Sequence, residues 1–96
     1  FFWRNIELYG VLKQNINFGV FEVGMDRKGE IDYLSKILKP NLGIITNISY
    51  AHSKNFENIK GIANAKSELI DNITNNGSVI LNKDDQFYNF LKNKRI

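Results

Sequence analysis

Apolar residues along the chain fall into short runs and helical stripes separated by turn signals. Residues 18–23 (FGVFEV) form a nearly continuous apolar run, the pattern of a strand buried on both faces. From residue 29 to 38, Ile31, Leu34, Ile37 and Leu38 recur at helical spacing. Pro40 then forces a stop, because its ring fixes φ and removes an amide donor. Residues 42–47 (LGIITN) predict a second buried strand, and the polar, irregular stretch 48–58 predicts a loop. Residues 59–73 predict a helix with Ile59, Ile62, Ala63, Leu69, Ile70 and Ile73 on one face. Asn75-Asn76-Gly77 reads as a turn and residues 78–81 (SVIL) as a third strand. Asp84 or Asp85 can cap a last helix presenting Phe87, Phe90 and Leu91. The first thirteen residues predict a helix with Phe2, Ile6, Tyr9 and Leu12 as its stripe.

Strands alternating with helices predict an α/β fold of three layers, with a mostly parallel sheet and right-handed helical crossovers. In such sheets ligands bind beyond the carboxyl ends of the strands. The first strand delivers Glu22 there, the second Asn47, and the third Asn82 followed by Asp84 and Asp85. Three strands ending in polar groups predict one wet, functional edge.

Composition narrows the classes. The net charge of +3 comes from 13 basic and 10 acidic residues spread along the chain, with one small cluster at Lys92, Lys94 and Arg95. A nucleic-acid footprint would be a dense basic stripe with interleaved aromatics, so no nucleic-acid partner is expected. The chain has no cysteine, which rules out disulfides and thiolate metal sites and permits a reducing cytoplasm. No secretory signal pattern is visible, and no apolar stretch approaches the roughly 20 residues needed to span a bilayer. Phe1, Phe2 and Trp3 open the chain without an initiator Met, as expected of a segment of a longer protein.

Three side chains and one glycine pair bear on candidate chemistry. Glu22 sits inside an apolar run, and a buried carboxylate must be paired, hydrogen-bonded or bound to metal. The pattern alone fits a metal ligand and a structural ion pair equally. His52, the only histidine, lies in the loop past the second strand, where a lone histidine is more often a solvated surface residue. Lys66 falls in the middle of an otherwise apolar helix face. Either its stem packs while the amine reaches water, or it is a desolvated, neutral amine able to take up carbon dioxide as a carbamate. Gly24 and Gly29 have the spacing of a phosphate-binding loop, but Glu30 and Ile31 follow where Lys and Ser or Thr are required. Glu30 is better read as a first-turn carboxylate favoured by the helix dipole.

Residues 22–31 (EVGMDRKGEI) resemble the E-x-G-x-x-x-x-G-E-I stretch of the D-alanyl-D-alanine-adding Mur ligases. Pro40, residues 45–48 (ITNI), Ala51-His52 and Phe56 resemble the stretch that follows in that family, residues 61–69 (GIANAKSEL) its GIA-x-AK-x-E, and residues 81–85 (LNKDD) its LNADD. The matches are collinear over roughly residues 18–85. Departures are Ser53, where Leu is common, and Lys83, where Ala is usual; residues 1–17 match poorly.

The resemblance implies that residues 1–96 are part of a P-loop-type Mur ligase central domain whose phosphate loop, N-terminal domain and C-terminal domain lie elsewhere. It implies Glu22 and His52 as magnesium ligands and Lys66, carbamylated, as a third; manganese would tolerate the histidine better. It implies ATP as the second cofactor, with Asn47 as a nucleotide-site candidate. The implied partners are UDP-N-acetylmuramoyl-tripeptide and D-alanyl-D-alanine, joined through an acyl phosphate by a cytoplasmic, monomeric full-length enzyme. Another acid–amino-acid ligase of the superfamily, such as a folylpolyglutamate synthase or a different Mur ligase, and a noncatalytic α/β binding module are the alternatives.

Overall fold

The computed structural model describes residues 6–9, 17–50 and 55–95, with backbone alone at 6–9 and Arg95. Its elements are β1 (Ile6–Tyr9), β2 (Val20–Val23), α1 (Glu30–Leu38), β3 (Leu42–Ile45), α2 (Ile59–Asp71), β4 (Ser78–Leu81) and α3 (Tyr88–Lys92), closed by a 3-10 turn at Asn93–Arg95. The α/β class is as predicted. β3 and β4 pair in parallel, with Leu42 opposite Ser78 and Ile45 opposite Leu81, and α2 is the crossover between them.

Two expectations fail at the amino end. The predicted N-terminal helix is replaced, over its described part, by the strand β1. β2 does not join β3; it pairs antiparallel with β1, Ile6 opposite Val23 and Tyr9 opposite Val20. Nor is it buried on both faces, since Phe18 is 85% and Val20 64% exposed. An apolar run states a preference for burial but names no partner, and the described residues supply no layer over β2.

Local chemistry sets the helix ends. Gly29 precedes α1 in the left-handed region (φ 94°), a conformation natural to a residue without Cβ. Glu30 and Asp32 place negative charge in the first turn, as the helix dipole favours. Lys39 leaves the helix with φ 48°, just before Pro40. α2 starts at Asn58, whose side-chain oxygen accepts the Gly61 amide at 3.0 Å.

The core lies between α2 and one face of the β3–β4 pair. Ile45, Ile48, Ile62, Ala63, Ile70 and Leu91 are buried there, with Phe56, Phe87 and Leu81 packed around them. Each fully buried Ile or Leu contributes about 1.5–3 kcal/mol. Gly43 lets α2 approach: a Cβ there would lie 2.8 Å from Ile73 Cδ1. α1 packs against α2 through a polar seam. The Asn72 amide donates to Asp32 Oδ1 at 2.9 Å and to the buried Ser35 hydroxyl at 3.1 Å. Leu42, Ile44 and Ile80 face away from the core and stay about half exposed. Among the described residues no helix is long and apolar enough to cross a membrane.

Candidate functional site

Four segments meet beyond the carboxyl ends of β3 and β4. β3 ends at Ile45 and runs on through Thr46 and Asn47 into the loop that leads to α2. The Lys66 Nζ, on the second turn of α2, donates to the Asn47 carbonyl oxygen at 3.2 Å. Lys66 is half-buried between the buried Ala65 and Ser67. Its stem therefore packs while its amine is committed to the strand end, an outcome that combines packing with a defined polar contact. Asn47 itself is exposed.

One residue further, the buried Ile48 donates its amide to Asp85 Oδ2 at 2.7 Å. The other carboxylate oxygen of Asp85 accepts the Phe87 amide at 2.8 Å. Asn82 Oδ1 accepts the Asp84 amide at 2.9 Å, tightening the turn after β4. Neither predicted cap for the last helix is used as such: Phe87 is the N-cap of α3 and no side chain caps it, while Asp85 holds the turn just before the helix. Its second bond, to the exit of β3, ties the loops after both parallel strands together.

The loop between β2 and α1 joins the same assembly. Glu22 lies near the end of β2, but it is exposed, which corrects the expectation that burial compels it to find a partner. Its carboxylate makes no hydrogen bond or ion pair among the described residues. Glu30 Oε1 accepts the amides of Asp26 and of Arg27, the latter at 2.7 Å. Glu68, two residues past Lys66 on α2, accepts the Gly29 amide at 3.0 Å and the Asp32 amide at 3.1 Å. Asn55 donates to the Asp26 carbonyl at 2.9 Å, so the loop after β2 touches the loop after β3. His52 lies outside the described residues.

These contacts also account for the glycine pair at 24 and 29. A phosphate loop needs free amides. Here the amides of Asp26, Arg27, Gly29 and Asp32 are already held by the carboxylates of Glu30 and Glu68, whose charge would repel a phosphate. The segment is a carboxylate-bound turn.

Among the described residues no three His, Cys, Asp or Glu side chains gather as a preformed metal site. An open cleft of about 500 Å³ between the end of α2, β4 and α3, floored by Ile70, Ile73, Val79 and Leu91, contains neither Glu22, Asn47 nor Lys66. The site is better defined by its converging polar groups than by this cleft. The structure therefore unites Lys66, Asn47 and Asp85, and links the Glu22 loop to them through Glu68 and Asn55. The role of Glu68 escaped the sequence reading, although the residue stands two places after Lys66 on the flank of an apolar stripe, where a carboxylate requires a reason.

The chain is 39% identical over 89 residues to the UDP-N-acetylmuramoyl-tripeptide–D-alanyl-D-alanine ligase of Rickettsia prowazekii, covering 88% of this chain and 20% of the relative. It is 39% identical over 69 residues to the enzyme of that name from Bacillus subtilis, covering 72% and 15%. With the one from Borreliella burgdorferi the identity is 54% over 56 residues, covering 58% and 12%. The chain thus spans about a fifth or less of the length of these curated relatives. No solved structure matches it significantly. The Mur ligase middle domain family matches residues 5–96, nearly the whole chain, and this chain belongs to that family.

Proposed function

We propose that this chain is the metal-site portion of the central domain of an ATP-dependent amide ligase that adds D-alanyl-D-alanine to UDP-N-acetylmuramoyl-tripeptide. The observation that carries the reading is a Lys66 amine drawn to the end of the parallel pair, in a chain 39% identical to a ligase of that name over 88% of its length. The phosphate loop and the two flanking domains belong to the remainder of the protein. The reaction belongs in the cytoplasm, with a monomeric enzyme. ATP phosphorylates the tripeptide carboxylate, and the amine of D-alanyl-D-alanine displaces phosphate from the acyl phosphate.

The residues fit a divalent cation. Glu22 offers an exposed carboxylate without a competing partner among the described residues. A carbamate on Lys66 would add an anionic oxygen, and its remaining N–H could still donate to the Asn47 carbonyl. Hard oxygen donors suit magnesium, and the imidazole of His52 suits manganese as well. When bound, such an ion supplies charge neutralisation for the transferring phosphoryl group. Lys66 and Asn47 together set the end of β3 against α2, so the carbamate would project from a fixed point. Asp85 holds the exit of β3 in register with the loop after β4, where Asn82 and Asp84 lie.

The test is a ligase assay on the full-length protein. Phosphate release should require ATP, the UDP-linked tripeptide and D-alanyl-D-alanine together. Turnover with a folate and glutamate, or with a different muramoyl acceptor and amino acid, would assign the chain to another ligase of the superfamily. Metal-independent binding without turnover would point to the noncatalytic module.

A further inference from the structure

We propose that Glu68 is a positioning residue that locks the loop following Glu22 to the helix carrying Lys66. This rests on the reading of Glu22 and Lys66 as partners in one site. Residues two apart on a helix project in widely different directions. From α2, Lys66 reaches the end of β3, while Glu68 reaches the start of α1. One rigid helix thereby holds two loops that come from separate sheets.

The hold on the second loop is firm. Both Glu68 oxygens approach the Gly29 amide, at 3.0 and 3.2 Å, and one also takes the Asp32 amide at 3.1 Å. Charged acceptors on backbone amides are among the stronger hydrogen bonds. Glu30 binds the amides of Asp26 and Arg27, so the turn behaves as one body with α1. Fixing Gly29 therefore fixes where the chain leaves β2, and with it Glu22. No other side chain on α2 bonds to this loop among the described residues, whereas the Asn72 contacts bind the flank of α1. Glu68 is thus engaged with the amides of Gly29 and Asp32 at the start of α1.

A plain helix cap would stabilise α1 and do nothing for metal affinity; a positioning residue must do both. The experiment uses the full-length protein and Mn2+ alone, titrated and followed by loss of the free-ion paramagnetic resonance signal. Partners outside the ligand shell commonly change metal affinity by about 10–100-fold. Glu68→Ala should weaken Mn2+ binding by about tenfold and raise the Mg2+ needed for half-maximal ligase rate by a similar factor. Glu68→Gln keeps one oxygen acceptor and should stay within about threefold of the parent. Asn72→Ala loosens the same α1–α2 seam and should lower the melting temperature without moving the metal midpoint. Equal metal midpoints in Glu68→Ala, Asn72→Ala and the parent would overturn the proposal. Glu22→Gln and Lys66→Ala separate the two failures. If they weaken Mn2+ binding while Glu68→Ala does not, Glu68 alone is misread. If neither changes binding, the site reading falls and takes the role of Glu68 with it.

Discussion

Asp85 accepts the Ile48 amide at 2.7 Å through one carboxylate oxygen and the Phe87 amide at 2.8 Å through the other. One side chain thus joins the exit of β3 to the start of α3. Ile48 is buried, so its amide cannot turn to water if Asp85 is removed. Leaving a buried donor unsatisfied costs about 1–3 kcal/mol, and losing the turn hydrogen bond to Phe87 about 1 more. Asp85→Ala should therefore lower stability by about 2–4 kcal/mol, and Asp85→Asn, with one acceptor left, by roughly half as much. Thermal unfolding together with hydrogen exchange at the Ile48 amide checks this. Unchanged protection at Ile48 in Asp85→Ala would refute it.

Gly43 on β3 lies close under Leu69 of α2 and Ile73 just past its end. A Cβ there would lie 2.8 Å from Ile73 Cδ1 and 3.2 Å from Leu69 Cδ2. Replacing Gly by Ala gains about 0.4–1 kcal/mol from a less flexible unfolded chain, while overpacking costs about 1–3 kcal/mol. Ile73 Cδ1 is the far end of a side chain and can shift, so Gly43→Ala should be destabilised by only about 1 kcal/mol. Gly43→Val has no such escape and should lose about 2–3 kcal/mol. By pushing α2 off the strand it should also separate Lys66 from Asn47 and depress the ligase rate. A denaturant titration in which Gly43→Val matches the parent would show that the close approach is not real.

The α1–α2 seam predicts an acid-sensitive component of stability. Hydrogen bonds from Lys36 first, and then from Asn72, hold the Asp32 carboxyl below the usual carboxylate range. The hydrogen bond that Lys36 donates to Asp32 raises the Lys36 amine in turn. A depressed carboxyl contributes stability above its unfolded value and loses it as pH falls through its folded value. A raised amine contributes below its unfolded value and loses it as pH rises through its folded one. Melting temperatures of the parent and Asp32→Asn should differ at neutral pH. They should converge below the carboxylate range and draw closer again in strong alkali, where the Lys36 contribution is lost and the Asn72 bond remains. A gap independent of pH would mean that the pair contributes no electrostatic stability.

Much of this was legible in the sequence, and the reasons are specific. Gly29 and Pro40 bracket α1 and Asn75-Asn76-Gly77 breaks the chain before β4, so punctuation and periodicity agree there, whereas the cap at Asn58 emerges only in the fold. The stripe on α2 is real at Ile62, Ala63 and Ile70. Ala65 and Ser67 are buried as well, off the stripe that the apolar spacing foresees, and α1 packs against this helix. The pairing of β2 was not legible, since FGVFEV carries no mark of which strand lies beside it. Nor was the exposure of Glu22, whose burial was inferred from apolar neighbours that are largely exposed themselves. The contacts of Glu68 and Asp85 span 36 to 39 positions in the chain and arise only from packing.

Lys66 decides between packing and chemistry. Lys66→Ala removes the donor to the Asn47 carbonyl, which is solvent-exposed and can turn to water. It also installs a better helix former, so stability should change by only about 1 kcal/mol either way. On the proposed function, ligase activity of the full-length protein should fall much further, because an anionic ligand and a fixed strand end would be lost together. The carbamate makes a sharper demand. Bicarbonate in excess, or a short carboxylic acid small enough to enter the vacated space, should restore part of the activity to Lys66→Ala and none to Glu22→Gln. Lys66→Arg can still reach Asn47 but cannot form a carbamate, so it should remain inactive and resist rescue. If Lys66→Arg works as well as the parent, the residue serves as a strut for β3, and the chemistry assigned to it is wrong.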